Sequence, residues 1–221
     1  VTGIVLLSDP RVAAVQVEEC REPLVDLRED GRLVVDRRKV DPEGWYAHLR
    51  RSLLERLVSA NQQLARQRLQ LLVVEGYRPL EVQARYWADY QRQLTELHPA
   101  WPPQQIHHAA ARYVSPPELA PHSTGGAVDL TLADWEGREL DLGTRVNASP
   151  EESAGACYTW AANVPMEARD RRVTLAQALT TVGLVNYPTE WWHWSLFERY
   201  HAFMNSAQAA LYGPLDVVTG R

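Results

Sequence analysis

A chain of 221 residues, 45% hydrophobic and 23% charged, has the composition of an ordinary globular protein and the length of one large domain, which excludes a disordered or low-complexity chain. Its formal net charge of −5 supplies no basic field for nucleic acid or an anionic bilayer, and apolar runs such as Leu69 to Val74 fall far short of the about 20 residues a membrane helix needs. Its two cysteines, Cys20 and Cys157, are far apart in the sequence, which excludes a disulfide framework and a thiolate metal site, so any metal must be held by histidine and carboxylate.

In chain order, the N-terminus lacks the basic, apolar and small-residue sequence of a secretory signal, so a cytoplasmic location is expected. Residues 1–36 carry short apolar runs, Ile4 to Leu7, Val12 to Val17 and Leu33 to Val35, between polar turns, and read as peripheral strands or extended segments. A single domain is expected over 1–221, with 1–40 as its peripheral N-terminal segment. Asp41-Pro42 offers an N-cap with proline at the first helical position, and Trp45, Leu49, Leu53, Leu57 and Leu64 follow at helical spacing, which predicts one amphipathic helix over 42–67. Leu69 to Glu75 reads as a buried strand ended by Gly76-Tyr77-Arg78-Pro79, and Pro79 opens a helix through about Leu97. A helix over about 103–114 carries His107 and His108. Adjacent helical positions diverge, so these two, like His48, His98 and His201, are read as surface or core histidines.

Pro121-His122-Ser123-Thr124-Gly125-Gly126-Ala127-Val128-Asp129 is the first stretch with chemistry in it. From Gly126 the residues alternate as in a strand, with Asp129 on one face, and the two glycines let the loop that carries His122 fold back beside that carboxylate. A hairpin turn follows at 135–138, with a return near 139–142. From Gly143 to Pro165 the periodicity dissolves, and a loop of that length reads as a lid. A helix over 166–183, short strands at 184–187 and 190–196, and a final helix over 197–212 complete the chain. In Glu190-Trp191-Trp192-His193, His193 is the third potential ligand for zinc, which takes three protein ligands and an open position in catalytic sites. Glu190 is placed to move a proton between attacking water and a leaving amine. Arg78, at the strand end, either grips an oxyanion through two donors or makes a structural ion pair.

With these motifs in their order, Gly76-Tyr77-Arg78-Pro79, His122-x-x-Gly125-x-Ala127-x-Asp129, Leu142-Gly143-Thr144 and Glu190-Trp191-Trp192-His193, the chain resembles the zinc D-alanyl-D-alanine dipeptidases. These are distant relatives of DD-carboxypeptidases, lysostaphin-type peptidases and the hedgehog domain. The resemblance implies an α+β fold with a mainly antiparallel central sheet flanked by helices, and one catalytic zinc bound by His122, Asp129 and His193. It further implies Glu190 as general acid/base, Arg78 as stabiliser of the tetrahedral intermediate, and a small D-dipeptide or amide as substrate and partner. Asn147, Tyr77 and Trp192 are candidate substrate contacts. Two positions depart from the resistance enzymes: Ala120 stands for a serine, and Asn147 for an acidic residue thought to receive the substrate ammonium. The chemistry is expected to be intact and the substrate to differ. The alternatives are a cell-wall DD-carboxypeptidase or endopeptidase, and a zinc-containing binding module without turnover.

Overall fold

The computed structural model describes residues 3–215. From the N-terminus the chain forms α1 (Pro10–Ala13), β1 (Gln16–Val17), β2 (Leu24–Asp26), α2 (Leu27–Asp30), β3 (Val34–Val35), a 3-10 turn at Trp45–Ala47, β4 (His48–Arg50), α3 (Arg51–Ala65), β5 (Leu69–Glu75), α4 (Leu80–Leu97) and α5 (Pro103–Ala110). Two further 3-10 turns, Pro117–Leu119 and Pro121–Thr124, lead into β6 (Ala127–Asp134). Then come α6 (Met166–Thr181), β7 (Val185–Asn186), β8 (His193–Ser195), α7 (Arg199–Met204) and β9 (Ala209–Ala210).

The fold is α+β, around a five-stranded sheet in the order β3-β5-β6-β8-β7. The pairs within β5, β6, β8 and β7 are antiparallel, whereas β3 lies parallel to β5. The sheet is therefore mixed rather than mainly antiparallel. The cause is the connection: β3 reaches β5 only after the α3 crossover, and a long crossover permits a parallel pair where a tight hairpin would not. In β6 residues 127–133 are all buried, so both faces are covered. On one side α3 packs against β5 and α6 through Leu53, Leu54, Leu57, Ala60 and Leu64, and Trp191, Trp192 and Trp194 complete the same core.

Four expectations change. The helix expected over 42–67 begins only at Arg51, because Asp41 caps a different turn: its carboxylate accepts from the backbone N–H groups of Glu43, Trp45 and Tyr46. Residues 48–50 are then drawn into pairing with β2, and Glu22 receives the backbone N–H and the hydroxyl of Ser52 at the true helix start. The expected final helix is confined to Arg199–Met204, and β9 takes up part of the remainder by pairing with β1. The 143–165 segment is pinned to the core at several points: the buried Arg172 donates to the carbonyls of Leu142, just before it, and of Ala156 and Tyr158, and Trp191 Nε1 donates to Thr144. The N-terminal segment is less peripheral than expected. Leu7 and Val12 form a second core with Tyr187 and Tyr200, and Leu7 reaches the wall of the main cavity. Cys20 and Cys157 are free thiols, and no helix among the described residues is long and apolar enough to cross a membrane.

Candidate active site

Sheet register builds one side of the site. Asp129 on β6 is paired with Glu75 on β5 and with His193 on β8, so residues far apart in sequence stand side by side on one face. A register shift between Val73 and Glu75 brings Glu75 into that row, a re-aiming typical of bulges beside functional sites. His122 enters from the 3-10 turn Pro121–Thr124, which Gly125 ends in the left-handed conformation at φ 70°, where glycine has no steric cost.

His122 Nδ1 lies 2.7 Å from the Gly76 carbonyl. That bond places the ring proton on Nδ1 and leaves Nε2 as a lone pair. Gly76 is suited to the contact, because a β-carbon there would collide with the His48 carbonyl. His122 Nε2 is 3.2 Å from Asp129 Oδ1, and His193 Nδ1 is 3.1 Å from both atoms. The three residues are 5%, 2% and 4% exposed respectively. With both rings neutral only one proton, on His193 Nδ1, can sit within this triangle. Putting it there makes His193 Nε2 the acceptor, and that atom is buried without a hydrogen-bond partner. A cation among the three converging atoms satisfies those three together, with the His193 proton then on Nε2, and two imidazoles with one carboxylate suit zinc. Burial alone would raise the Asp129 carboxyl, but a positive charge among the imidazoles outweighs it and holds the group well below the usual carboxylate range.

Glu190 approaches from the next turn, its Oε2 3.9 Å from His193 Nδ1. Burial first, and the neighbouring Asp129 second, raise its carboxyl well above the ordinary value, with Arg78 opposing. A carboxyl with raised proton affinity holds a proton more firmly than an ordinary one and so can return it to a leaving group. Arg78 is half-buried and doubly held: Nε donates to Glu75 Oε1 at 2.6 Å, and Nη1 donates to Gln83 Oε1 at 2.6 Å. Gln83, itself buried, is fixed in turn by donating to the Ser115 carbonyl. Burial disfavours the guanidinium, but Glu75 outweighs this and raises it, so it stays charged.

A cavity of about 300 Å³ unites Arg78, His122, Asp129, Asn147, Glu190 and His193. Asn147 sits in the left-handed region at φ 62°, which asparagine tolerates well, and its carbonyl accepts from Tyr113. Two candidate substrate contacts lie elsewhere. Tyr77 packs edge-on against Trp45 and donates to the Leu215 carbonyl, turned away because the strand end directs neighbouring side chains to opposite faces. Trp192 is fully buried, edge-on to Trp191 in the core and outside the cavity lining, although its indole N–H faces Glu190 from behind and favours the ionised carboxylate. Ala120 is buried and is not part of the cavity lining. The other histidines have plain roles: His98 stacks on Trp101, His107 meets Trp87, and His48 and His201 contact the carbonyls of Gly44 and Gly183. Glu75 and Gln83 escaped the sequence reading. A carboxylate closing the strand three residues before Arg78 was the available signal for the first.

Residues 38–208, which contain every residue of this cavity except Leu7, match the family model described as D-ala-D-ala dipeptidase. The chain belongs to that peptidase family. It is similar to the D-alanyl-D-alanine dipeptidase of Escherichia coli (strain K12), at 33% identity over 129 residues covering 58% of this chain and 55% of that protein. The D-alanyl-D-alanine dipeptidase of Synechocystis is 27% identical over 218 residues, covering 86% and 88%. That of Enterococcus faecium is 30% identical over 148 residues, covering 65% and 70%. Among solved structures, the LdcB LD-carboxypeptidase superposes loosely, with a TM-score of 0.45 at 16% identity over 95% of this chain and 89% of that one. For the VanY D,D-pentapeptidase in complex with Zn(II) the TM-score is 0.40 at 14% identity, over 80% and 94%.

Proposed function

We propose that this family member hydrolyses D-Ala-D-Ala, or a closely related small D-amino-acid dipeptide or amide, with one zinc ion held by His122, Asp129 and His193. The observation that carries the reading is the buried triangle of His122 Nε2, Asp129 Oδ1 and His193 Nδ1, opening on the same cavity as Glu190 and Arg78. When bound, zinc supplies a Lewis acid that polarises a scissile carbonyl and makes water acidic enough to react near neutral pH. Glu190 takes the proton of the attacking water and returns it to the departing amine, a role that its raised proton affinity suits. Arg78, immobilised by Glu75 and Gln83, presents a fixed positive charge to the oxyanion, and such preorganised donors are worth roughly 10²–10³ in kcat. A cavity of about 300 Å³ is at the small end of ligand pockets, which favours a dipeptide over a long chain.

The test is metal analysis of the purified protein, followed by hydrolysis assays on a panel of free and N-acylated D- and L-dipeptides. About one zinc per chain and turnover of free D,D-dipeptides are expected. Protein that is metal-free after mild purification, and inactive when zinc is supplied, rules the reading out.

A further inference from the structure

The run Arg37-Arg38-Lys39 reads from sequence as a solvated face, and for Arg38 that holds: it pairs with Asp36 and Glu139 at the surface. Lys39 behaves differently. Its side chain is 27% exposed and turns inward, with Nζ 3.4 Å from Glu75 Oε2 and 5.4 Å from the centroid of the Tyr86 ring. The same ring carries the Arg78 guanidinium at 5.0 Å. Lys39, Arg78 and Tyr86 line the cavity that holds the histidines, and they also line a neighbouring cavity, so they stand where the two meet.

Charge and donor counts separate Lys39 from its neighbours. Arg78 spends Nε and Nη1 on Glu75 and Gln83. Lys39 is ion-paired with Glu75 Oε2 at 3.4 Å, and an ammonium has three donors, so two remain for another acceptor. Two cations share one carboxylate, leaving this wall a net positive charge. Of the other acids lining the two cavities, Asp89 is paired with Arg92 and Glu81 with Arg85, Asp41 accepts from three backbone N–H groups, Glu43 is exposed, and Asp129 and Glu190 stand at the candidate zinc ligands. An ammonium partly withdrawn from water and free to donate is a receptor for an anion. The permanently anionic group of a short peptide is its α-carboxylate.

We propose that Lys39 is a specificity-determining residue that anchors the free α-carboxylate of a small peptide substrate beside Arg78, so that the site selects peptides with an unblocked C-terminus. This rests on the peptidase reading above for its substrate class. The competing role is structural: Lys39 would do no more than neutralise Glu75.

The experiment uses zinc-loaded protein carrying Glu190→Gln, to hold ligand without turning it over. It is titrated by calorimetry with D-Ala-D-Ala and with D-Ala-D-Ala amide, alone and combined with Lys39→Met or Lys39→Arg. Tighter binding of the acid than of the amide is expected. Lys39→Met should weaken the acid roughly 10- to 100-fold, the value of one charge-assisted hydrogen bond, and leave the amide unchanged, while Lys39→Arg restores most of the preference. Should Lys39→Met fail to fold, Lys39→Gln carries the same expectation. Equal weakening of acid and amide, or an acid preference that survives the loss of the ammonium, overturns the assignment. Turnover of the same dipeptide by the zinc-loaded wild type separates the two readings. Hydrolysis without a Lys39-dependent preference sinks the anchor alone, Lys39-dependent acid binding without hydrolysis sinks the dipeptidase reading alone, and failure of both ligands to bind, with no hydrolysis, sinks both.

Discussion

His122 owes its role as a candidate ligand to one hydrogen bond. With Nδ1 bound to the Gly76 carbonyl, the tautomer and ring orientation are set before any metal arrives, the arrangement that secondary hydrogen bonds give metal-binding histidines. His122→Ala is therefore expected to abolish zinc retention, measured by metal analysis after dialysis, whereas Glu190→Ala should retain zinc and lose hydrolysis. Wild-type turnover in Glu190→Ala would remove that residue as the base. Asn147→Asp returns an acid to a position already in the left-handed region, and should lower KM for free dipeptides while leaving N-acylated ones unaffected. Burial would raise the Glu75 carboxyl, but Arg78 and Lys39 outweigh burial and lower it from 4.5 to about 2. A depressed carboxylate contributes stability that is complete above its unfolded value and is lost as pH falls toward the folded one, here between about 4.5 and about 2. Urea midpoints should thus fall steeply in the wild type on going from about pH 6 to about pH 3. In Glu75→Gln the midpoint should start lower and fall less, and an unchanged slope would show that the pair does not govern the acid limb.

Elements differ in how local their causes are. β5 and α4 lie where the pattern places them, because Leu69 to Glu75 is a short apolar run and Pro79 forbids helix before it while favouring helix after it. The start of α3 was misread because an aspartate followed by proline caps a 3-10 turn as readily as an α-helix. The pairing of β4 with β2, which decides between them, is not local. The 143–165 segment shows the same dependence. Its fixed shape comes from Arg172, a residue of α6 that serves three carbonyls. Burial pulls this guanidinium down to about 10, which still leaves it charged at neutral pH. Arg172→Met should lower stability by about 2–5 kcal/mol, from stranded carbonyls and lost packing, and make the segment the first site of limited proteolysis. Arg172→Lys should recover little, since an ammonium lacks the guanidinium fork. Resistance of Arg172→Met to the protease would mean that the segment is held by other contacts.

At the scale of the whole molecule, the two ends of the described chain are bound to each other and to the site. β1 pairs with β9, Arg199 donates to the Ala13 carbonyl, the Glu19 carboxylate accepts from Arg50 and from the Gly213 backbone, and Leu7 lines the cavity. Deleting residues 1–20 exposes Tyr187 and Tyr200, which pack against Leu7 and Val12, and leaves β9 unpaired. The melting temperature is expected to drop by several degrees or more, with weaker zinc retention because Tyr187 packs against His193. Unaltered melting and zinc content would return the segment to the peripheral role expected of it.

Residue types and short spacings dictate the chemistry available to this protein. Two imidazoles, an aspartate, a glutamate three residues before one of the histidines, and an arginine at a strand end are properties of residue types and short spacings, and such local signals survive without a fold. Convergence was decided only by tertiary structure. Glu75, Asp129 and His193 share a row because β5 and β8 pair with β6 in one register, which the irregularity between Val73 and Glu75 shifts by a residue. Lys39 reaches that row from a loop that nothing in its own neighbourhood points inward. Register and loop direction are set by which surfaces the whole chain can bury together, and this information lies in contacts between residues remote from one another in sequence.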